Sequence, residues 1–76
     1  MNDLIGLIAQ QLVDYPDEVK VSMIESNNTA VLELKVAKED VGKVIGRSGR
    51  TAQAMRTLLS AISAKERKRA ILEILE

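Results

Sequence analysis

The sequence predicts an α+β domain with elements in the order α-β-β-α-α-β, in which a small sheet carries its helices on one face. Apolar residues recur at three- and four-residue intervals in the segments predicted as helices, and they alternate with polar residues in two segments predicted as strands. A short apolar run closes the chain. With 76 residues, the chain is expected to form one domain spanning residues 1–76.

The first half of the chain predicts a helix followed by a β-hairpin. The helix is indicated by apolar residues at helical spacing, which are Leu4, Ile5, Ile8, Leu12 and Val13. It is expected to end at Tyr15-Pro16-Asp17, because proline disfavours the α conformation in the residue before it. Alternating residues predict strands over 19–24 and 32–36, joined by the turn residues 26–29. Ile24 is the one apolar residue on the otherwise polar side of the first strand.

The second half predicts two helices and a final strand. A short helix is expected over 38–45, where Glu39 and Asp40 favour the N-terminal turn and Gly46 ends it. A longer helix is predicted from about Arg50 to Lys65. Four residues spaced as one helical face are expected to point into the core, namely Met55, Leu58, Leu59 and Ile62, with a share in a subunit interface as the alternative. The run 70–75 fits a strand, and a helical continuation is the alternative.

Charge is distributed unevenly along a chain whose formal net charge is zero. Residues 1–42 contain three basic and eight acidic side chains, whereas residues 43–69 contain eight basic side chains and one acidic side chain. A basic segment of this kind is typical of a surface that binds nucleic acid.

The residue types that are missing exclude several classes of function. The chain has no cysteine and no histidine, so it lacks a thiolate or imidazole that could act as nucleophile or base, and it lacks the usual zinc ligands. We therefore expect no catalytic residues, no metal, no cofactor and no small-molecule substrate. No apolar run approaches the roughly 20 residues of a membrane span, and the N-terminus does not resemble a signal peptide. A cytoplasmic protein without membrane contact is predicted.

The basic segment contains the turn Gly46-Arg47-Ser48-Gly49, which the sequence places between two helices. Glycine tolerates positive φ and has no Cβ, so a backbone phosphate can come close to the loop. A helix that begins directly after the loop adds unpaired N–H groups and the positive end of its dipole. These features predict a clamp for a nucleic-acid backbone. The alternative is a simple turn with a glycine at the end of a helix.

The segment 42–51, flanked by one strand before it and one after it, resembles the signature of the KH domain: an apolar pair, Gly-x-x-Gly and a long amphipathic helix. The preceding helix and hairpin resemble the type II arrangement, and the match covers essentially the whole chain. The resemblance implies a three-stranded mixed sheet with two parallel strands. Residues 36–46 are similar to the small bacterial stand-alone RNA-binding KH proteins of the KhpA family, which implies an RNA chaperone or post-transcriptional regulator.

The resemblance also implies which residues bind single-stranded RNA, and these are Val36, Lys43, Val44, Ile45, Gly46, Arg47, Ser48, Gly49 and Arg50. The loop 46–49 would hold the backbone of about four nucleotides, with Arg47 on a phosphate. Lys43 and Arg50 would extend the positive rim. Val44 and Ile45, with Val36 or Leu34, would form an aliphatic floor under the bases.

Two other classes of function stay open at the level of sequence. A helix-turn-helix DNA binder would present Arg50, Gln53, Arg56 and Thr57 to the major groove. A protein-interaction module would act through dimerisation. Family resemblance implies a homodimer, a heterodimer with a larger Jag-like KH protein called KhpB, or both. The cluster 65–69 is either a solvated helix end or a further RNA contact.

Overall fold

The computed structural model describes residues 2–75 and confirms the predicted order of elements. Short 3₁₀ turns at Pro16–Glu18, Lys38–Asp40 and Arg47–Gly49 connect them. The helices and strands are α1 (Asn2–Leu12), β1 (Lys20–Ser26), β2 (Thr29–Lys35), α2 (Val41–Ile45), α3 (Arg50–Lys65) and β3 (Arg69–Leu75).

The sheet has the strand order β1-β2-β3 and is mixed, as the resemblance implied. β1 and β2 are antiparallel, and the pair Ser26 and Thr29 closes their hairpin. The turn is therefore shorter than the predicted four residues, with Asn27 at φ 49°. β3 joins β2 in parallel, in a register that pairs Thr29 with Arg69. This crossover brings α2 and α3 onto the same face of the sheet as α1, which confirms the α+β fold.

The core lies between the sheet and the helices. Alternate residues of β2 are buried there, in keeping with the two-residue period of a strand. The fully buried residues include Ile5 and Ala9 from α1, Ala30, Leu32 and Leu34 from β2, Val44 from α2 and Leu59 from α3. Burial of each large aliphatic side chain contributes about 1.5–3 kcal/mol, so these residues fix the position of α2 and α3 on the sheet.

One of the four residues predicted to form the core face of α3, Leu58, is not buried. Met55 and Leu59 are buried and Ile62 is half-buried, but 45% of Leu58 is exposed. The buried line of the helix runs through Ala52, Met55, Leu59 and Ser63. At about 100° per residue, Leu58 lies roughly 100° from the centre of that line. An apolar side chain on α3 is therefore left at the surface.

Other bounds also differ from the sequence prediction. β1 and β2 extend over Lys20–Ser26 and Thr29–Lys35 rather than over 19–24 and 32–36. α1 ends at Leu12, before the predicted stop, and Pro16 begins a separate 3₁₀ turn. The predicted helix over 38–45 consists of a 3₁₀ turn followed by the five-residue α2. Among residues 2–75, no helix is long and apolar enough to cross a membrane.

Candidate nucleic-acid interface

The Gly46–Gly49 loop has a backbone that most residues would avoid. Gly46 has φ 78° and ψ 174°, a combination that is essentially restricted to glycine. Ser48 (φ 56°) and Gly49 (φ 75°, ψ 11°) are both left-handed. The Gly49 N–H donates to the Gly46 carbonyl at 3.1 Å. The loop is thus a tight, fixed turn.

The two glycines are required for different reasons. A Cβ added to Gly46 would lie 2.2 Å from the Thr51 Oγ1 and 2.9 Å from the Thr51 backbone nitrogen, so there is no space for a side chain. A Cβ added to Gly49 would meet nothing within 4 Å, and only its positive φ favours glycine. Gly46 therefore lets the loop fold against the first turn of α3, while Gly49 sets the direction in which that helix begins.

The start of α3 faces the same loop. Gly49 occupies the N-cap position, and no side chain caps the helix there. Arg47, Ser48 and Arg50 are exposed. Within the described residues 2–75, neither arginine has a carboxylate within salt-bridge distance. Two cationic side chains and an uncapped helix N-terminus are thus available to an anionic partner.

Lys43, predicted on the rim, is engaged elsewhere. Its ammonium donates to the Asp14 carboxylate and lies 3.4 Å from the Asp40 Oδ1. The hydrogen bond to Asp14 raises the pKa of Lys43, and desolvation opposes this shift. The charge of Asp14 and the hydrogen bond and charge of Asp40 also raise it, so the pKa of Lys43 lies above its ordinary value. Its charge is therefore shared with two acidic side chains of the same chain.

Asp40 is the buried anchor of this cluster, and its side chain has no exposed surface. Its carboxylate accepts the backbone N–H groups of Asp14 at 3.2 Å and of Tyr15 at 3.0 Å. Burial by itself would raise the pKa of Asp40. The hydrogen bonds from the two N–H groups and the interaction with Lys43 lower it by more, so the pKa of Asp40 lies below its ordinary value. Asp40 thereby ties the segment after α1 to the start of α2.

The aliphatic floor is narrower than the sequence predicted. Val44 and Leu34 are completely buried and Val36 is 6% exposed, because all three pack in the core. Only Ile45, which is half-buried, retains surface for a base. The family resemblance implied that Val44 and Ile45, with Val36 or Leu34, form this floor, and the sequence does not distinguish a core position from the wall of a groove.

Polar residues of α3 are also partly engaged. An Arg56 guanidinium nitrogen donates to the Leu72 carbonyl at 3.3 Å, and the Thr57 hydroxyl donates to the Gln53 carbonyl at 3.0 Å. In the basic cluster 65–69, Lys68 pairs with Glu25 at 3.1 Å. Arg56, Lys68 and Arg69 contribute to the lining of an open groove of about 490 Å³ between α3 and β3.

Two residues shape the site in ways that the sequence does not indicate. Asp40 was predicted only to favour the N-terminal turn of a helix, whereas its carboxylate accepts N–H groups from residues 25 and 26 positions away in the chain. Thr51 was assigned no role, although it fills the space beside Gly46. No local pattern marks either residue, since both contacts depend on the tertiary fold.

The sequence profile described as "KhpA/KhpB, KH domain" matches residues 2–74. Two proteins called RNA-binding protein KhpA, from Caldanaerobacter subterraneus subsp. tengcongensis and Clostridium acetobutylicum, are 53% and 52% identical over 75 residues, which is 99% of this chain and 100% of each relative. The protein of that name from Aquifex aeolicus is 50% identical over 76 residues, covering 100% of this chain and 96% of the relative. No solved structure matches significantly.

Proposed function

The chain belongs to the KhpA/KhpB family of KH-domain proteins, and on that premise we propose that it binds single-stranded RNA through the Gly46–Gly49 loop. KH domains use such a loop to clamp about four nucleotides by their backbone. The relatives' names describe RNA-binding proteins. The protein acts as a binding module, with no catalytic step.

The observation that carries this proposal is the loop backbone together with its exposed cations. Gly46, Ser48 and Gly49 all have positive φ, and Arg47 and Ser48 are exposed. Arg47, within the loop, and Arg50, directly after it, make no ion pair among the described residues. Phosphate oxygens can accept from both guanidinium groups and from N–H groups at the start of α3.

The expected affinity is weak. The clamp makes few contacts, and the chain has one tyrosine, no phenylalanine and no tryptophan on which bases could stack. Phosphate contacts without sequence readout give dissociation constants of roughly 10⁻⁴ to 10⁻⁶ M. Binding of this strength suits an RNA chaperone or post-transcriptional regulator that releases its RNA readily, and a second KH domain would raise the overall affinity.

The test is fluorescence anisotropy with a short labelled single-stranded RNA and with duplex DNA. The variant Arg47→Asp/Ser48→Asp should lose RNA binding by at least about tenfold, and circular dichroism should show an intact fold, since aspartate tolerates the left-handed conformation of Ser48. The matched control is Lys20→Asp/Ser22→Asp, which makes the same change in charge on the strand face opposite the helices. Equal binding by the loop variant and the wild type would refute the clamp.

Duplex DNA is the second ligand in that test because a helix-turn-helix protein, which is the alternative left open by the sequence, would bind duplex DNA through its major groove. Of the four α3 residues that alternative requires, Arg56 and Thr57 already donate to backbone carbonyls of this chain. The helix before the turn, α2, has only five residues. Tighter binding to the duplex than to single-stranded RNA would favour the DNA-binding alternative.

A second proposal concerns self-association through α3. Leu58 is 45% exposed and shares a helix face with exposed Ala54 and Ala61. Small residues beside a leucine let two helices approach closely. The occupant we favour is a second copy of this chain, since a pair would present two loops to one RNA; a KhpB-like KH protein is the other partner that the family implies.

Light scattering across a concentration series tests the pairing. The wild type should reach the mass of a dimer, and Leu58→Glu should remain a monomer with an unchanged circular dichroism spectrum, because 45% of Leu58 is exposed and it contributes little to the core. Ala61→Glu, on the same face, should act in the same way, whereas Ser22→Glu on the open sheet face should not. A wild-type monomer at every concentration would contradict self-pairing.

A further inference from the structure

Lys43, in the basic segment, lies beside two acidic side chains, those of Asp14 and Asp40. Its ammonium contacts the Asp14 carboxylate and lies 3.4 Å from the Asp40 carboxylate. Yet 42% of the Lys43 side chain is exposed. The charge of Lys43 is thus accessible to solvent although it is paired. The charges of Arg47 and Arg50 are exposed and make no ion pair among residues 2–75.

The two acids around Lys43 have different tasks. Asp40 is buried and holds two backbone N–H groups, so the fold depends on it. The Asp14 side chain is 69% exposed, and among residues 2–75 its carboxylate accepts a hydrogen bond only from Lys43. The Asp14 backbone, not its side chain, connects to Asp40. The Asp14 carboxylate can therefore be removed without loss of the anchor.

Lys43 is close enough to the loop to matter for RNA. It precedes Gly46 by three residues on α2, about 4.5 Å along the helix axis, and the Gly46 N–H closes that helix on the Gly42 carbonyl at 2.9 Å. A lysine side chain on this helix can reach a phosphate next to the clamp. An exposed ion pair is worth at most about 1 kcal/mol, so a phosphate can compete with Asp14.

Building on the proposed RNA binding, we infer that the Asp14 carboxylate competes with RNA phosphates for Lys43 and so limits the affinity of the clamp. A change that removes the charge of Asp14 frees Lys43 for one further phosphate contact. Binding to single-stranded RNA then becomes tighter, by about threefold to tenfold at low salt. The slope of log K against log salt becomes steeper by about 0.7, which is the increment per phosphate on a single strand.

The experiment measures anisotropy of one labelled single-stranded RNA over a salt series for the wild type and four variants. Asp14→Asn should bind more tightly and with the steeper slope. Asp17→Asn is the matched control, since it removes the same charge from a neighbouring exposed residue that makes no contact with Lys43. Lys43→Met gives the affinity without this cation, and Asp14→Asn/Lys43→Met should bind no more tightly than Lys43→Met alone.

The outcomes separate the inference from the proposal beneath it. If the wild type does not bind single-stranded RNA, the proposed function fails and the inference falls with it. If the wild type binds but Asp14→Asn matches Asp17→Asn in affinity and slope, only the competition is overturned. A gain that persists in the double variant also overturns it, because the effect would then not pass through Lys43. Thermal unfolding of each variant checks that the anchor at Asp40 is intact.

Discussion

The basic side chain within α2 is ion-paired, whereas those just beyond the C-terminal end of this helix are unpaired among residues 2–75. On its N-terminal side, Asp40 is buried, and Lys43, in the middle of the five-residue helix, is paired with Asp40 and Asp14. At its C-terminal end, the Gly46–Gly49 loop directs Arg47 and Arg50 outward with no ion pair among residues 2–75. The basic segment looks continuous in the sequence, but the fold divides it into an ion-paired part around Lys43, here called the clasp, and an exposed part at 46–50, the proposed clamp.

This difference shows that position along a basic segment does not decide whether a cation is available. Lys43 and Arg47 are four residues apart, about one turn. The Lys43 side chain contacts the Asp14 carboxylate in the segment after α1. Arg47 lies in the loop, and no carboxylate among residues 2–75 lies within salt-bridge distance of it.

The largest effect is expected for Gly46→Ala at the clamp end. The methyl group would collide with Thr51 and force alanine into a backbone region that costs about 1–3 kcal/mol by itself. We expect a loss of at least about 3 kcal/mol in the free energy of unfolding, measured by urea denaturation, and a collapse of the loop.

Gly42→Ala is the control for that change. A Cβ at Gly42 meets nothing within 4 Å, and the residue lies in α2. Alanine there should be neutral or stabilise by up to about 1 kcal/mol. Similar losses for both variants would show that the space around Gly46 is not the cause.

The next effect is expected for Asp40→Asn at the clasp end. The amide can accept one of the two N–H groups but places its own NH₂ against the other, so the melting temperature should fall by on the order of 5–10 °C. Scanning calorimetry at neutral pH measures this loss. Asp17→Asn should leave the melting temperature nearly unchanged.

The same variant gives a pH dependence. Because the folded-state pKa of Asp40 lies below its ordinary value, its stabilising contribution is present above about pH 4 and is lost as the pH falls through the folded-state pKa. The gap in melting temperature between wild type and Asp40→Asn should therefore narrow below pH 4. A gap that stays constant down to pH 2 would contradict the lowered pKa.

A moderate effect on RNA affinity should distinguish the two ends directly. Arg47→Ala removes an available phosphate ligand and should raise the dissociation constant about fivefold to tenfold, with a salt slope shallower by about 0.7. Lys43→Ala should raise it less than twofold. Fluorescence anisotropy with one labelled RNA measures both dissociation constants. A larger loss of affinity for Lys43→Ala than for Arg47→Ala would contradict the proposal that the Gly46–Gly49 loop is the clamp.

The smallest effect is expected for Gly49→Ala. Its positive φ costs a residue with a Cβ about 1–2 kcal/mol, but the space is open. Gly49→Asn should cost less, because asparagine tolerates the left-handed conformation. Chemical denaturation of both variants should give this order, and the reverse order would show that conformation does not explain the requirement.

Much of this architecture could be predicted from local patterns. The bounds of α3, the final strand and the stop at Gly46 followed from apolar spacing and glycine. The burial of Val44 and the exposure of Leu58 did not, because several apolar residues share each helix and only the packed neighbours decide which of them face the core. The binding roles of the loop residues stay a prediction.

The sequence by itself determined the elements, their order and the glycine loop, since each depends on the conformational preferences of neighbouring residues. Tertiary structure decided which charges are free. The Asp40 carboxylate meets N–H groups from residues 25 and 26 positions away, and Lys43 meets an acid 29 positions away. Contacts of that separation arise only when α1 and α2 pack on the same sheet, so no local pattern can encode them.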